Sequence, residues 1–326
     1  MGEKPDFIER IHVNGFEAES IQVFQQQYTQ NVVYKAFADA LKCSPTQIKR
    51  VTDIPFLPIS FFKTHIVTLN SNKQADLIFE SSGTTGSVNS KHYVLHKEVY
   101  ESSGLYGFKQ FYGSPAEYTI LALLPSYMER NNSSLVYMAK LLMDESKHPL
   151  NGFYLDDLAK LADTIQKLEA QGQKAIVIGV TFALLDFAAQ FPMPLKQTII
   201  METGGMKGRR EEWTRTQVHD YLKQQWQLDT IHSEYGMTEL LSQSYAKANG
   251  IFHPADTLKV FVRDINDPLD VKETGTGCLN IIDLANIYSC SFIATEDIGT
   301  VYADGSFEIL GRADHSALRG CSLMAL

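Results

Sequence analysis

Apolar positions in this chain change period twice, and the changes predict three parts. Through roughly residues 5–50 they recur at helical spacing: "FQQQYTQNVVYKAFADALK" brings Phe24, Tyr28, Val32, Ala36, Phe37 and Leu41 near one face. "CSPTQIKR" restarts a helix, with Ser44 at the cap and Pro45 at the first helical position. "DIPFLPISFFKTHIV" is apolar but broken by proline, which predicts an ordered crossing segment with no regular element. From about 76 to 245 short apolar runs alternate with amphipathic stretches. "ADLIFE", "YTILALLP", "KAIVIGV" and "QTIIMETG" are expected to be strands; "HKEVYESSGLYGFKQFYG", "SSLVYMAKLLMDE", 156–171 and 210–226 are expected to be helices. After about 250 the runs shorten into "TLKVFVRDI", "GCLNIIDL", "GTVYAD" and "SFEILGR", which predict antiparallel strands.

Strands separated by helices imply βαβ units and a largely parallel sheet. The expected fold class is therefore α/β: parallel-rich sheets flanked by helices, plus a small β subdomain. The expected divisions are a helical segment over 1–75, an α/β core over 76–249 and a β-rich subdomain with a tail over 250–326. Ligands of such sheets gather at the carboxyl ends of the strands. The polar or glycine-rich loops after "LIFE", "LALLP", "IIMET" and "TIHSE" all fall at those ends.

Composition narrows the function. Hydrophobic residues make up 44% and charged residues 21% of 326, the balance of a chain that buries a core. The formal charge of −9 offers no basic excess to offset a nucleic-acid backbone, so nucleic acid is excluded as a partner. A small anionic ligand is compatible with that charge, because backbone amides and a few local cations can hold it. Cys43, Cys278, Cys290 and Cys321 are scattered and form no CxxC pair, as in a reducing cytosol. The start "MGEKPDFIER" lacks the apolar core of a signal peptide, and the run "AIVIGVTFALL" is too short to span a bilayer. A cytoplasmic location without a membrane span is expected.

Three motifs carry chemistry. "SSGTTGS" follows a strand: Gly83 and Gly86 let backbone approach a ligand, Ser82, Thr84 and Thr85 add hydroxyls, and Lys91 lies a few residues on. It fits neither the Walker nor the dinucleotide glycine spacing, and a slack surface loop has the same composition. "HSEYGMTE" turns at Gly236 from a strand into an expected helix. There Glu239 can hold Mg²⁺ or, equally, Thr238 and Glu239 can serve as cap and first-turn acid. In "ATEDIG" and "LGRADHSALRG", Asp297 can accept from ribose hydroxyls and Arg312 can reach ribose or phosphate; both also suit β turns.

Taken in order, these segments resemble the adenylate-forming superfamily: acyl-CoA synthetases, peptide-synthetase adenylation domains and luciferase-like ligases. That superfamily carries [ST]SG[ST]TG, then Y-G-x-T-E, then T-x-D, then G-R-x-D. "LLPSYMERNNSSLVYM", "METGGMKGRREEW", "IYSCSFIATEDIG" and the terminal "LRGCSL" are similar to the LuxE-like acyl-protein synthetases within it. The resemblance implies that a carboxylic acid, fatty in the best-known case, and ATP form an acyl-adenylate with release of pyrophosphate. The acyl group then passes to a cysteine near the C-terminus and on to a reductase partner. It implies Ser82, Gly83, Thr84, Thr85 and Gly86 around the triphosphate, with Mg²⁺ on Glu239 and Thr238 at the α-phosphate. Gly204, Gly205 and Tyr235 flank the adenine, Gly236 belongs to the same nucleotide site, and Asp297 meets the ribose hydroxyls with Arg312 at the ribose or phosphate.

Two departures stand out. Where the superfamily loop continues x-P-K-G, this one runs Ser87-Val88-Asn89-Ser90-Lys91, so the proline is missing and the lysine displaced. The chain stops shortly after Asp314, where larger relatives hinge into a C-terminal lid domain, so no lid is expected. Cys321 lies behind Arg319, which favours the nucleophilic thiolate, and the resemblance makes it the acyl acceptor. Cys278 and Cys290, inside β patterns, are expected in the core. A CoA ligase without a lid and an inactive nucleotide-binding module are the alternative readings.

Overall fold

A computed structural model describes residues 7–70, 72–81, 88–125, 130, 132–204 and 213–313. Along the chain run α1 (Phe7–Asn14), α2 (Phe16–Gln30), α3 (Val32–Ala40), β1 (Leu57–Pro58), α4 (Phe61–Thr64), β2 (Leu77–Glu80) and β3 (Lys91–Val94). Then come α5 (Lys97–Tyr112), β4 (Thr119–Leu123), α6 (Ser134–Ser146), β5 (Gly152–Phe153), α7 (Leu158–Gln171), β6 (Ala175–Val180) and α8 (Thr181–Gln190). Next are β7 (Thr198–Thr203), α9 (Arg215–Trp226), β8 (His232–Tyr235), β9 (Ser244–Ala246), β10 (His253–Pro254) and β11 (Leu258–Arg263). The last four are β12 (Val271–Lys272), β13 (Gly275–Asp283), β14 (Phe292–Val301) and β15 (Phe307–Arg312). They form two compact units, one of Met1–Ser103, Thr238–Ser242 and His253–Leu326, the other of Gly104–Met237 and Gln243–Phe252.

In the second unit the strands follow the order β9-β8-β7-β6-β4-β5. All neighbours in that order are parallel except β8 and β9. β4 and β6 are buried at every position, which explains their continuous apolar runs. Helices α6 to α9 add much of this core, including Leu142, Leu161, Ile165, Leu184, Phe187, Leu222 and Trp226, and α5 adds Phe108 and Tyr112. The apolar segment 178–187, the end of β6 and most of α8, lies here. A Cβ on Gly179 would come within 2.9 Å of Leu184.

The first unit is built on an antiparallel sheet of order β1-β14-β13-β11-β12, with β15 also on β14 and β1 parallel to it. β2 and β3 form a separate antiparallel hairpin. Helices α2 and α3 pack beside the β13–β14 connection. The Gln27 amide donates to the Asn286 carbonyl at 2.9 Å and accepts from the Ser291 amide at 3.0 Å. Tyr34 stacks on Phe292 at 5.7 Å.

Three local expectations change. The single helical pattern of 24–41 is two helices parted at Asn31, whose side chain accepts from the Tyr34 amide and donates to the Ser289 carbonyl at 2.9 Å. Val32, predicted on the apolar face, is therefore 80% exposed. Residues 44–48 form a turn in which Gln47 caps Ser44, and no helix restarts. The proline-broken stretch contains a short 3₁₀ turn at Val51–Asp53 as well as β1 and α4.

Candidate functional site

In the first unit the Thr238–Ser242 turn is gripped from two sides. Strand β3 and the residue before it supply one side: the His92 ring Nδ1 lies 2.9 Å from the Thr238 carbonyl, and Ser90 hydrogen-bonds the Glu239 carboxylate. The connection after β13 supplies the other. Asn286 donates to the Glu239 carbonyl at 2.8 Å, while Asp283 accepts from the Leu241 amide at 2.7 Å and the Ser242 amide at 3.0 Å. No helix follows Gly236; the chain turns and enters β9, so Thr238 is not a helix cap. His92, Asp283 and Asn286 each bond backbone that the turn leaves unpaired, which offsets part of the cost of burying them.

Glu239 is buried, and that burial pushes its carboxyl above the ordinary range despite Ser90 and the charges of Arg312 and Lys63. A buried carboxylate in this condition is stabilised by an added cation, and its oxygens are the hard donors that Mg²⁺ takes. The residues thus fit one Mg²⁺ contact, the remaining ligands coming from phosphate oxygens and water. Among the described residues, the cluster with three convergent metal-type ligands is elsewhere, at Asp76, His96 and Glu98. The Lys73 ammonium already sits 2.7 Å from the His96 ring there.

Lys91 pairs across the β2–β3 hairpin with Glu80 at 3.1 Å. Asp297 and Arg312 are direct register partners on β14 and β15, with 3.5 Å between carboxylate and guanidinium; Arg312 also meets Glu296 at 3.1 Å. The antiparallel register therefore brings together the ends of "TED" and "LGR". The Thr295 hydroxyl stiffens the first by accepting from the Asp297 amide at 3.1 Å.

In the second unit the carboxyl ends of β7 and β8 carry a buried carboxylate pair. Glu202 accepts from Thr181 at 2.6 Å and Ser233 at 3.1 Å, with His219 and Arg215 at 3.7 and 3.8 Å. Burial pushes Glu202 up, but these partners outweigh it and hold the group below its ordinary value. Thr181 also donates to the Gly204 carbonyl at 3.0 Å, anchoring a residue whose φ of +73° glycine adopts without strain. Glu234 has one hydrogen bond, from Thr203 at 2.6 Å; burial and the Glu202 charge raise it to about 7. A Cβ on Gly236 would stand 2.5 Å from the Glu234 carboxyl, which is why a glycine follows Tyr235. The Tyr235 ring packs on Phe252 at 5.8 Å, and the Arg215 guanidinium lies 5.1 Å from the same ring.

Of the residues expected from sequence, Thr238, Glu239, Lys91, Asp297 and Arg312 fall in the first unit, and Gly204, Tyr235 and Gly236 in the second. Ser82, Gly83, Thr84, Thr85, Gly86, Gly205 and Cys321 lie outside the described residues. Cys278 and Cys290 are buried, as expected. His92, Asp283, Asn286, Glu202 and Thr181 were not singled out by sequence. Their signal was a lone polar residue inside an apolar or alternating run, as in "LNIIDLANI" and "IIMETG".

Several solved structures share this fold. ATP-bound MatB from Rhodopseudomonas palustris is 16% identical with a TM-score of 0.54, over 73% of this chain and 48% of that one. O-succinylbenzoate coenzyme A synthetase (MenE) from Bacillus subtilis, in complex with ATP and magnesium ion, is 14% identical with a TM-score of 0.50, over 72% and 49%. 2-Hydroxyisobutyryl-CoA ligase, in complex with R3-HIB-AMP, is 10% identical with a TM-score of 0.63, over 90% and 66%. The chain spans about half the length of the first two. The fold is that of the N-terminal domain of adenylate-forming enzymes. No curated protein matches the chain. The family model of LuxE, acyl-protein synthetase, matches residues 12–325, and the chain belongs to that family. Among the described residues no helix is long and apolar enough to cross a membrane.

Proposed function

We propose that this protein uses ATP to activate a carboxylic acid, a fatty acid in particular, and transfers the acyl group to Cys321 and then to an acyl reductase. The reading is supported above all by Glu239: a buried carboxylate in a turn held by Ser90 and by His92 of β3, in a chain of the acyl-protein synthetase family.

In the proposed first step a carboxylate oxygen of the acid attacks the α-phosphorus of ATP and pyrophosphate leaves. The acid is already ionised, so no general base is required and the protein's contribution is position and charge. Ser82 to Gly86 wrap the triphosphate, Thr238 contacts the α-phosphate, and Asp297 and Arg312 hold the ribose. Gly204, Gly205 and Tyr235 flank the adenine, and Gly236 belongs to the same nucleotide site. Glu239 holds Mg²⁺, which when bound neutralises pyrophosphate charge. Lys91, occupied by Glu80, is left with at most a long-range electrostatic part. In the second step the Cys321 thiolate attacks the acyl carbonyl and AMP leaves, giving a thioester. Cytoplasmic placement follows from the need for a free thiol.

The test separates the two steps. A Cys321→Ser variant keeps ATP–pyrophosphate exchange but no longer retains a hydroxylamine-sensitive acyl group. Undiminished thioester formation in that variant refutes the acceptor assignment, and acyl-CoA formation on adding CoA favours a CoA ligase.

A further inference from the structure

We infer that His92 is a positioning residue for the Thr238–Glu239 turn, its Nδ1–H fixing the Thr238 carbonyl and thereby the direction of the Thr238 hydroxyl and Glu239 carboxylate. The inference rests on the activity proposed for that turn.

The bond itself fixes the state of the ring. Nδ1 lies 2.9 Å from a carbonyl, which can only accept, so Nδ1 carries the hydrogen and Nε2 is left as an acceptor. His92 is fully buried, and among the described residues its Nε2 has no hydrogen-bond partner. An imidazole with one buried nitrogen unpartnered is a poor choice for a core position on stability grounds alone. A branched aliphatic residue would fill the site beside Phe62, whose ring lies edge-on at 5.5 Å, without burying a lone pair. What the imidazole supplies and an aliphatic residue cannot is the donor to Thr238, 146 residues away.

The context gives that donor a purpose. Ser90, just before β3, and His92, within it, are two residues apart and both buried. They grip consecutive residues of the turn, Ser90 through the Glu239 carboxylate and His92 through the Thr238 backbone. Asn286 fixes the Glu239 carbonyl independently, so loss of His92 frees Thr238 and leaves the far side of the turn anchored.

The test compares His92→Leu, His92→Asn and wild type. Leucine fills the space without a donor: kcat for pyrophosphate exchange falls about 10–100-fold, the scale of a small displacement in a positioned site. Its thermal midpoint stays level or rises, because the unpartnered nitrogen is gone. Asparagine places an amide N–H where Nδ1 stood and recovers most of the rate. A purely structural role moves stability and activity together and gives no rescue by asparagine. A leucine variant with wild-type kcat overturns the inference. So does an asparagine variant as slow as leucine. Two-bond ¹H–¹⁵N spectra of the wild type report the ring tautomer without any activity: Nδ1–H supports the bond, and Nε2–H refutes it. If the wild type shows no exchange, the proposed activity fails while the tautomer still decides the hydrogen bond.

Discussion

Glu202 and Glu234 show how two like residues on adjacent strands acquire opposite tendencies. Glu202 has two hydroxyl donors, an imidazole and a guanidinium, and stays below its ordinary value; Glu234 has one hydroxyl and rises to about 7. A carboxyl raised in the folded state binds its proton more tightly there than when unfolded, so stability is full below about pH 4.5 and is lost as pH rises through about 7. The loss is about 3 kcal/mol, at 1.4 kcal/mol per pH unit over that window. Denaturant titrations of wild type and Glu234→Gln from pH 4.5 to 8 should show the wild type falling behind by that amount. A constant gap across the range contradicts the assignment. Neither glutamate was singled out from sequence. Their difference was not legible there, because it depends on Thr181, His219 and Arg215, which reach Glu202 from other elements.

Among the elements, the alternating middle of the chain was legible because each strand of the parallel sheet is an unbroken apolar run and each helix has an apolar stripe. The strand and helix expectations over 118–226 match β4, β6, β7 and the helices α6, α7 and α9, with ends displaced by a few residues. What periodicity hid was the break at Asn31, since apolar residues continue at helical spacing on both sides of it. Asn31 ends one helix by capping the next and ties the corner to Ser289. Replacing it with alanine removes a cap and leaves a buried carbonyl without its donor, at a cost of about 2–4 kcal/mol. Thermal or denaturant unfolding of Asn31→Ala measures this, and a loss under 0.5 kcal/mol contradicts the role. The short strands β1, β3 and β5 were also missed; two to four residues carry no period. The helix expected after Gly236 failed for a related reason, as the turn is shaped by Asp283 and Asn286, more than forty residues downstream.

For the whole molecule, the ordered motifs reached the fold and the family where composition alone reached only an acidic globular chain. Fold likeness to ligases at 10–16% identity supports architecture, and the family match over residues 12–325 supports the class of chemistry. The candidate site was half legible. Thr238, Glu239, Asp297 and Arg312 were reached through the resemblance that the ordered motifs carry, whereas the residues that hold them are single polar side chains whose role exists only once distant strands meet. The central claim, activation of a carboxylic acid as its adenylate, is tested most directly by ATP–[³²P]pyrophosphate exchange with a series of fatty acids and Mg²⁺. The account predicts exchange that requires both the acid and Mg²⁺ and is abolished in Glu239→Gln. Tight ATP binding with no exchange for any carboxylic acid contradicts it.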